Sequence, residues 1–228
     1  MPFGVFHASL IFRIGEALVI PIKFSFVNVR VSLFMQVIKL GGSLTKSQAL
    51  PEALNRIATR QGKMVIVPGG GAFADQVRFA QQQWQFNEVI AHEMAILAMQ
   101  QMALLFKGLQ PTFQLAGTLV EIKQFLSGQK SAPIIWSPSI YELNQAGVAA
   151  NWEITSDSLA AWLAQQLDAT ELILVKAAKV TSNNLAQLSE QGIIDSAFVR
   201  FVDHARFTIQ ILSNDCFYEQ QDFNRKII

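Results

Sequence analysis

Lys39, Gly41, Gly42 and Ser43 stand together at the end of a short apolar run, Val37-Ile38-Lys39-Leu40-Gly41-Gly42-Ser43. Those residue types suit an anion. Glycines after a strand let the backbone turn sharply and present N–H groups with no Cβ in the way. An ammonium beside them places positive charge where phosphate oxygens would lie. In a Walker loop the lysine closes a longer glycine-spaced motif; here it leads, inside the strand. The plain alternative is a strand that ends in a Gly-Gly turn. Met64-Val65-Ile66-Val67 repeats the arrangement, with Pro68-Gly69-Gly70-Gly71 after it. A third run, Trp152-Glu153-Ile154-Thr155-Ser156-Asp157-Ser158-Leu159-Ala160-Ala161, puts a carboxylate at the mouth of a helix. Asp157 reads there either as the helix N-cap or as the group that holds Lys39 and a second lysine together against their mutual repulsion. Ser156 can cap as well, and Asn caps about as well as Asp, so Asp157→Asn is expected to change stability little.

These groups need elements to position them. Residues 50–61 read as a helix between the two glycine loops: Pro51 suits its first turn, Leu54, Ile57 and Ala58 share a face, and Gly62 suits the position past its end. Strand, glycine loop, helix, strand, glycine loop is a βαβ unit, and both loops then face one crevice at the carboxyl ends of parallel strands. A helix begins after Gly71, and its N-terminus favours an anion. Arg78 lies on it, either as a fork for phosphate or carboxylate or as a solvated surface charge. Residues 87–107 form the longest helix. It is apolar over most of its surface, which predicts burial against the sheet on one side and against a second subunit on the other. His92, near its start, is a substrate contact or a satisfied buried histidine. Strands at 112–116, 133–136, 172–175 and 207–212 alternate with helices at 119–126, 141–145, 157–167, 184–191 and 195–204. That alternation predicts an α/β fold, a three-layer αβα sandwich around a mostly parallel sheet.

The 228 residues, 51% hydrophobic and 15% charged, suit one α/β domain with a large core. A formal charge of +1, with no basic run, argues against a nucleic-acid partner. The lone Cys216 excludes a disulfide framework within the chain and points to a reducing, cytoplasmic compartment. No His/Cys cluster has zinc-site spacing, and no metal ligands are assigned. In residues 1–34, Arg13, Glu16, Pro21, Lys23 and Arg30 interrupt every apolar run. None reaches the roughly 20 residues of a membrane span, and the layout of a signal peptide is missing. Residues 1–34 read as the product of an upstream start without function, or else as an extension packed on the sheet or a partner. Residues 35–228 read as a single domain.

Lys39-Leu40-Gly41-Gly42-Ser43, Pro68-Gly69-Gly70-Gly71 and Thr155-Ser156-Asp157-Ser158-Leu159-Ala160-Ala161 occur in the order found in the amino acid kinase family, which the chain resembles from Met35 to about Leu212. The resemblance implies an ATP-dependent phosphotransferase, with Mg²⁺ carried on ATP, acting on a small metabolite that bears a phosphate or carboxylate. It implies that Lys39, Asp157 and Lys176 are catalytic. It assigns Gly41, Gly42, Ser43, Lys176 and Lys179 to the nucleotide phosphates, and Gly69, Gly70, Gly71, Arg78 and His92 to the acceptor. Members are often dimers, so a homodimer or higher homo-oligomer is implied. The Gly-Gly-Gly-x-Phe-Ala-x-x-Val-Arg run at 69–78, the 152–158 segment and Lys176 look most like the small methanofuran-biosynthesis branch. Its acceptor is an aminomethylfuran phosphate, and its bacterial relatives belong to one-carbon metabolism.

The chain departs from the family after the strand at 172–175. A Thr-Asp-Val-Asp-Gly-like nucleotide turn is replaced by Lys176-Ala177-Ala178-Lys179-Val180, and a later Gly-Gly-Met…Lys segment is replaced by Leu212-Ser213-Asn214-Asp215. Lys176 and Lys179 face ATP phosphates or are ordinary loop lysines. The alternative function is a non-catalytic small-molecule sensor or assembly subunit with the same fold. A dinucleotide oxidoreductase is not indicated, because neither glycine loop has the G-x-G-x-x-G spacing.

Overall fold

The computed structural model describes residues 34–46, 49–128, 132–180 and 182–219. The expected N-terminal extension falls on residues 1–33, outside the described residues, apart from Phe34. Six strands, β1 (Met35–Leu40), β2 (Lys63–Pro68), β3 (Gln114–Ala116), β4 (Ile134–Trp136), β5 (Glu171–Lys176) and β6 (Thr208–Ser213), form one sheet in the order β3-β4-β2-β1-β5-β6. Every pairing is parallel. A parallel sheet has helices on both faces, so its strands read as near-continuous apolar runs. β1 follows that rule: all six of its residues are buried, Lys39 among them.

The period of two along each strand decides what faces what. Ile38, Leu40, Ile66, Ile173 and Val175 join the core cluster of one face, under α1 (Ala49–Ala58) and the second half of α3 (Glu88–Leu109). Val37, Val65, Val67, Leu172 and Leu174 join the cluster of the other, under α4 (Leu119–Leu126), α6 (Ser156–Gln166) and α8 (Phe198–Val202). Lys39 lies two residues beyond Val37, and Lys176 two beyond Leu174. The same parity therefore carries both lysines to the α6 face.

α2 (Gly71–Trp84) follows β2, and α5 (Ile140–Gln145) follows β4. α7 (Leu185–Glu190) precedes α8, and α9 (Asn214–Glu219) follows β6. α9 and a 3₁₀ turn over Gly42–Lys46 are not among the elements expected from the sequence. α9 is anchored by Phe217, which is fully buried; such burial stabilises by about 1.5–3 kcal/mol.

α3 is long and apolar enough to cross a membrane by length and composition, but it packs as a core helix. Ala91, Ile96, Met99, Met102, Ala103 and Phe106 are buried. The sheet side of the expected burial is present, and within the single chain Ile90, Leu97 and Leu104, spaced seven apart on one stripe of the other side, are 45%, 46% and 60% exposed.

Candidate functional site

β1 is the strand at which the chain changes direction across the sheet. β2, β4 and β3 lie to one side of it, and β5 and β6 to the other. Open α/β sheets bind ligands at the carboxyl ends of strands beside such a reversal. Lys39 and Lys176 stand there, at the ends of β1 and β5, and the first turn of α6 brings Asp157 over them. Asp157 Oδ1 is 2.9 Å from Lys39 Nζ, and Oδ2 is 2.5 Å from Lys176 Nζ. The second contact is an aligned hydrogen bond. The first is an ion pair without that alignment, since Oδ1 has no hydrogen-bond partner among the described residues. Asp157 is 3% exposed and Lys39 5%.

Two cations and one anion thus share one largely desolvated cluster, with Lys39 and Asp157 buried and the Lys176 side chain 12% exposed. Burial pushes the Asp157 carboxyl up, but the charges of Lys39 and Lys176 outweigh it and hold the group below its ordinary value. Burial and then the charge of Lys39 bring Lys176 down from 10.5 to about 8, against the pull of Asp157 and, more weakly, of Asp195. The assembly carries a net positive charge in a low-dielectric setting, where it attracts phosphate oxygens more strongly than it would in water.

Asp157 is not the cap of α6, and neither is Ser156. The N-cap is Thr155, which makes no side-chain cap bond. The capping carboxylate comes from Asp195, between α7 and α8. It accepts the N–H of Ser158 at 3.0 Å and the N–H and hydroxyl of Thr155 at 2.9 and 2.8 Å. The capping premise behind the expectation that Asp157→Asn changes stability little is thereby removed, and a loss is expected instead. The Asp157 carboxylate is committed to two buried ammonium groups, and its loss leaves them facing each other.

The two glycine loops touch. A Cβ at Gly42 would lie 2.3 Å from Gly71 N and 2.4 Å from its Cα, and one at Gly69 would lie 2.6 Å from Gly42 N. Gly71 also has φ +54°, a conformation that favours glycine. Close approach of the two backbones by itself requires glycine at these positions. The expectation that all the loop glycines offer N–H groups is corrected at two positions. Gly41 N–H donates to Val175 O (3.0 Å) and Gly69 N–H to Leu40 O (2.9 Å), which extends the sheet. The N–H groups of Gly42, Ser43, Gly70 and Gly71 have no backbone acceptor among the described residues.

Two cavities meet at this point. The first, about 290 Å³, is lined by Gly42, Ser43 and all three of Gly69, Gly70 and Gly71, with Arg78 and His92 and an apolar floor that includes Ile96, Met99 and Leu159. The second, about 420 Å³ and more open, is lined by Lys39, Asp157 and Lys176 with residues 192–196. Arg78, Trp152 and Thr155 line both. The Arg78 guanidinium stacks over the Trp152 ring at 4.4 Å, and Trp152 Nε1–H donates to Gln81 Oε1 at 2.6 Å. His92 is 6% exposed. Burial lowers its pKa, against a hydrogen bond to the Ile154 backbone and the charge of Glu93, so the ring is neutral at pH 7. Lys179 is exposed and lines neither cavity; the structure does not bring it to the other lysines.

A model of the amino acid kinase family matches residues 35–184. The chain belongs to the amino acid kinase family. Over 142 residues it is 32% identical to (5-(aminomethyl)furan-3-yl)methyl phosphate kinase of Methanocaldococcus jannaschii, covering 61% of this chain and 64% of that relative. The match thus spans slightly less than two thirds of the relative's length. The fold is that of uridylate kinase from Archaeoglobus fulgidus, with TM-score 0.58 and 17% identity over 79% of this chain and 92% of the other. It is equally that of UMP kinase from Bacillus anthracis, with TM-score 0.61 and 14% identity over 79% and 87%.

Two parts of this site escape sequence reasoning. Asp195 bonds to residues 37 and 40 positions away, and an isolated aspartate in a short connection gives no local signal. The Arg78–Trp152 stack likewise joins two distant segments. A tryptophan inside the run that leads to Asp157 is the one hint of it.

Proposed function

We propose that this amino acid kinase family member is an ATP-dependent phosphotransferase that phosphorylates a small, phosphate-bearing metabolite in the cytoplasm. The observation that carries the reading is Asp157 holding Lys39 and Lys176 together where two cavities meet. Phosphoryl transfer asks a protein mainly for positioning and for positive charge on the oxygens of the moving group. In this reading ATP enters the cavity of Lys39, Asp157 and Lys176. Its γ-phosphorus forms a bond to an acceptor oxygen as the bond to the β-phosphate oxygen breaks, and ADP leaves. An acceptor phosphate is already ionised, so no general base is required.

The described residues contain no group of three or more acidic, histidine or cysteine side chains suited to a metal ion, and Asp157 is occupied by its lysines. Mg²⁺ is therefore assigned to the ATP phosphates, where it keeps waters and takes few protein ligands.

The acceptor cavity combines free loop N–H groups and Arg78 for a phosphate with a neutral His92 and the apolar Ile96, Met99 and Leu159 for a compact body. An aminomethylfuran phosphate, the acceptor named for the Methanocaldococcus relative, suits that division, and one-carbon cofactor synthesis is the context it suggests. The stripe of Ile90, Leu97 and Leu104 on α3 supports a homodimer formed by two such stripes.

The test is purified protein with Mg-ATP and a panel of acceptors: aminomethylfuran phosphate, UMP, isopentenyl phosphate and N-acetylglutamate, with products followed by ³¹P NMR. A new diphosphate or acyl phosphate is expected with one of them. ATP binding without transfer to any would favour the sensor reading instead.

A further inference from the structure

We propose that Asp195 is a positioning residue of this site: it clamps the first turn of α6 and thereby holds Asp157 in the orientation that pairs both lysines. Its effect on turnover presupposes the kinase reading above; its effect on the lysines does not.

Four donors converge on this one carboxylate. Oδ2 accepts the Thr155 N–H, the Thr155 hydroxyl and the Ser158 N–H at 2.9, 2.8 and 3.0 Å, and Oδ1 accepts the Ser158 hydroxyl. A helix is ordinarily capped by its own N-cap side chain. Here an acidic group from another segment does that work, at the end of the helix whose dipole favours negative charge. Asp157 lies between Thr155 and Ser158, so the backbone is fixed on both sides of it while its own side chain stays free for Lys39 and Lys176. Two further contacts tie the same segments. Ala197 N–H donates to Glu153 O at 3.2 Å, and Arg200 pairs with Glu153 at 2.9 Å. Thr155 also belongs to the wall shared by the two cavities. One carboxylate thus sets both the charged group and the partition between donor and acceptor. Misplacement of reacting groups by about 1 Å costs on the order of 10²-fold in rate.

The experiment is an NMR titration of ε-¹³C-lysine-labelled protein without ligand, with Lys176 as reporter. The charged groups that act on Lys176 are Lys39 from β1, Asp157 from α6 and Asp195 from the α7–α8 connection. In Asp195→Ala, Lys176 is expected to titrate about one pH unit lower, a tenfold change in proton affinity, because Asp157 is no longer held against it. With the assay in hand, kcat should fall by about tenfold to a hundredfold while KM for ATP changes less. Asp195→Asn keeps an oxygen for the two N–H groups and an amide that the Ser158 hydroxyl can accept from. It should restore kcat to within about twofold of the wild type, as a capping Asn replaces Asp with little loss, and leave Lys176 only slightly lower than in the wild type, since the weak direct pull of the Asp195 charge is lost while the clamp remains. Equal effects of Ala and Asn would mean that charge alone matters, and would overturn the proposal. So would a lowered melting temperature with an unmoved Lys176. If Asp195→Ala does not fold, Thr155→Val combined with Ser158→Ala removes two of the four donors. A smaller downward shift of Lys176 then supports the clamp, and no shift refutes it. Absence of turnover in the wild type would defeat the kinase reading and leave the titration interpretable.

Discussion

Lys39 and Asp157 meet at 2.9 Å with both side chains buried, one from the end of the central strand and the other from the first turn of a helix that starts beyond residue 150. With Lys176 on the opposite oxygen, the site holds two positive charges and one negative. Its response to mutation is therefore asymmetric.

Lys39→Met leaves a balanced Asp157–Lys176 pair. Stability should change by no more than about 1 kcal/mol, because Asp157 keeps Lys176 as its counter-ion and the repulsion between the two ammonium groups is removed. Turnover should drop by about 10²–10³, the scale for one preorganised charge-stabilising donor. Asp157→Asn leaves two buried ammonium groups without their counter-ion and should destabilise by about 3 kcal/mol. Chemical denaturation of both variants at pH 7 checks the contrast, and equal losses would contradict it. The Asp157→Asn penalty should also shrink as pH rises towards about 8, because Lys176 without Asp157 to raise it sheds its proton before the wild-type lysine does.

The pH dependence follows from Lys176. Its folded pKa, about 8, lies below its ordinary 10.5, so folding disfavours its charged form. Raising the pH from about 8 towards 10.5 makes this lysine's contribution to stability more favourable, yet removes the charge that phosphate needs. kcat/KM for ATP, which reports the free enzyme, should fall as pH rises through about 8. kcat should persist to higher pH, because bound phosphate favours the ammonium form. A level kcat/KM profile from pH 7 to 9.5 would remove Lys176 from nucleotide binding.

Asp157 acts at the acid end. Its folded pKa is depressed, so the stability it contributes is present above the unfolded carboxyl value and is lost as pH falls through the folded one. Acid unfolding of the wild type should begin at lower pH than that of Lys39→Met, whose carboxylate has one cation fewer. Circular dichroism from pH 5 to pH 2 measures this, and coincident curves would argue against the pairing.

Gly42→Ala forces a Cβ to within 2.3 Å of Gly71 N. The neighbour is backbone and cannot swing away, so the loops must part. A loss of about 1–3 kcal/mol is expected, the usual cost of overpacking. Because each loop supports the other, KM should rise for ATP and for the acceptor alike. A rise for only one substrate would show that the loops move independently.

The exposed stripe on α3 gives the last test. Leu97→Glu or Leu104→Glu places charge at residues that are 46% and 60% exposed, so the folded monomer should tolerate it. If two copies join there, sedimentation should show a monomer where the wild type is a dimer. Unchanged assembly would exclude this face.

Much of this arrangement is legible in the sequence, for physical reasons. Strand parity fixes the facing of Lys39 and Lys176, because Val37 and Leu174 must enter the core two residues earlier. The glycine loops announce their strands' ends, and the apolar runs announce a sheet covered on both faces. The identity of the α6 cap is not legible. Thr155, Ser156 and Asp157 all have cap chemistry, and the choice is made by Asp195, whose approach depends on how α7 and α8 fold back. The free and occupied N–H groups of Gly41 and Gly42 are likewise indistinguishable until the β5 backbone is in place beside them.

The sheet order has a consequence for how such a protein diversifies. The lining contributed by α3 and the glycine loops serves one cavity, and the lining contributed by the chain beyond β5 serves the other, with Arg78, Trp152 and Thr155 on the wall between them. Substitutions at Ile96, Met99 or His92 can remodel what the first cavity admits while the charged group stays as it is. Selectivity can drift there by single-residue changes. In the second cavity Lys39, Asp157, Lys176 and Asp195 are joined by shared contacts, so a change at one of these four acts on the others.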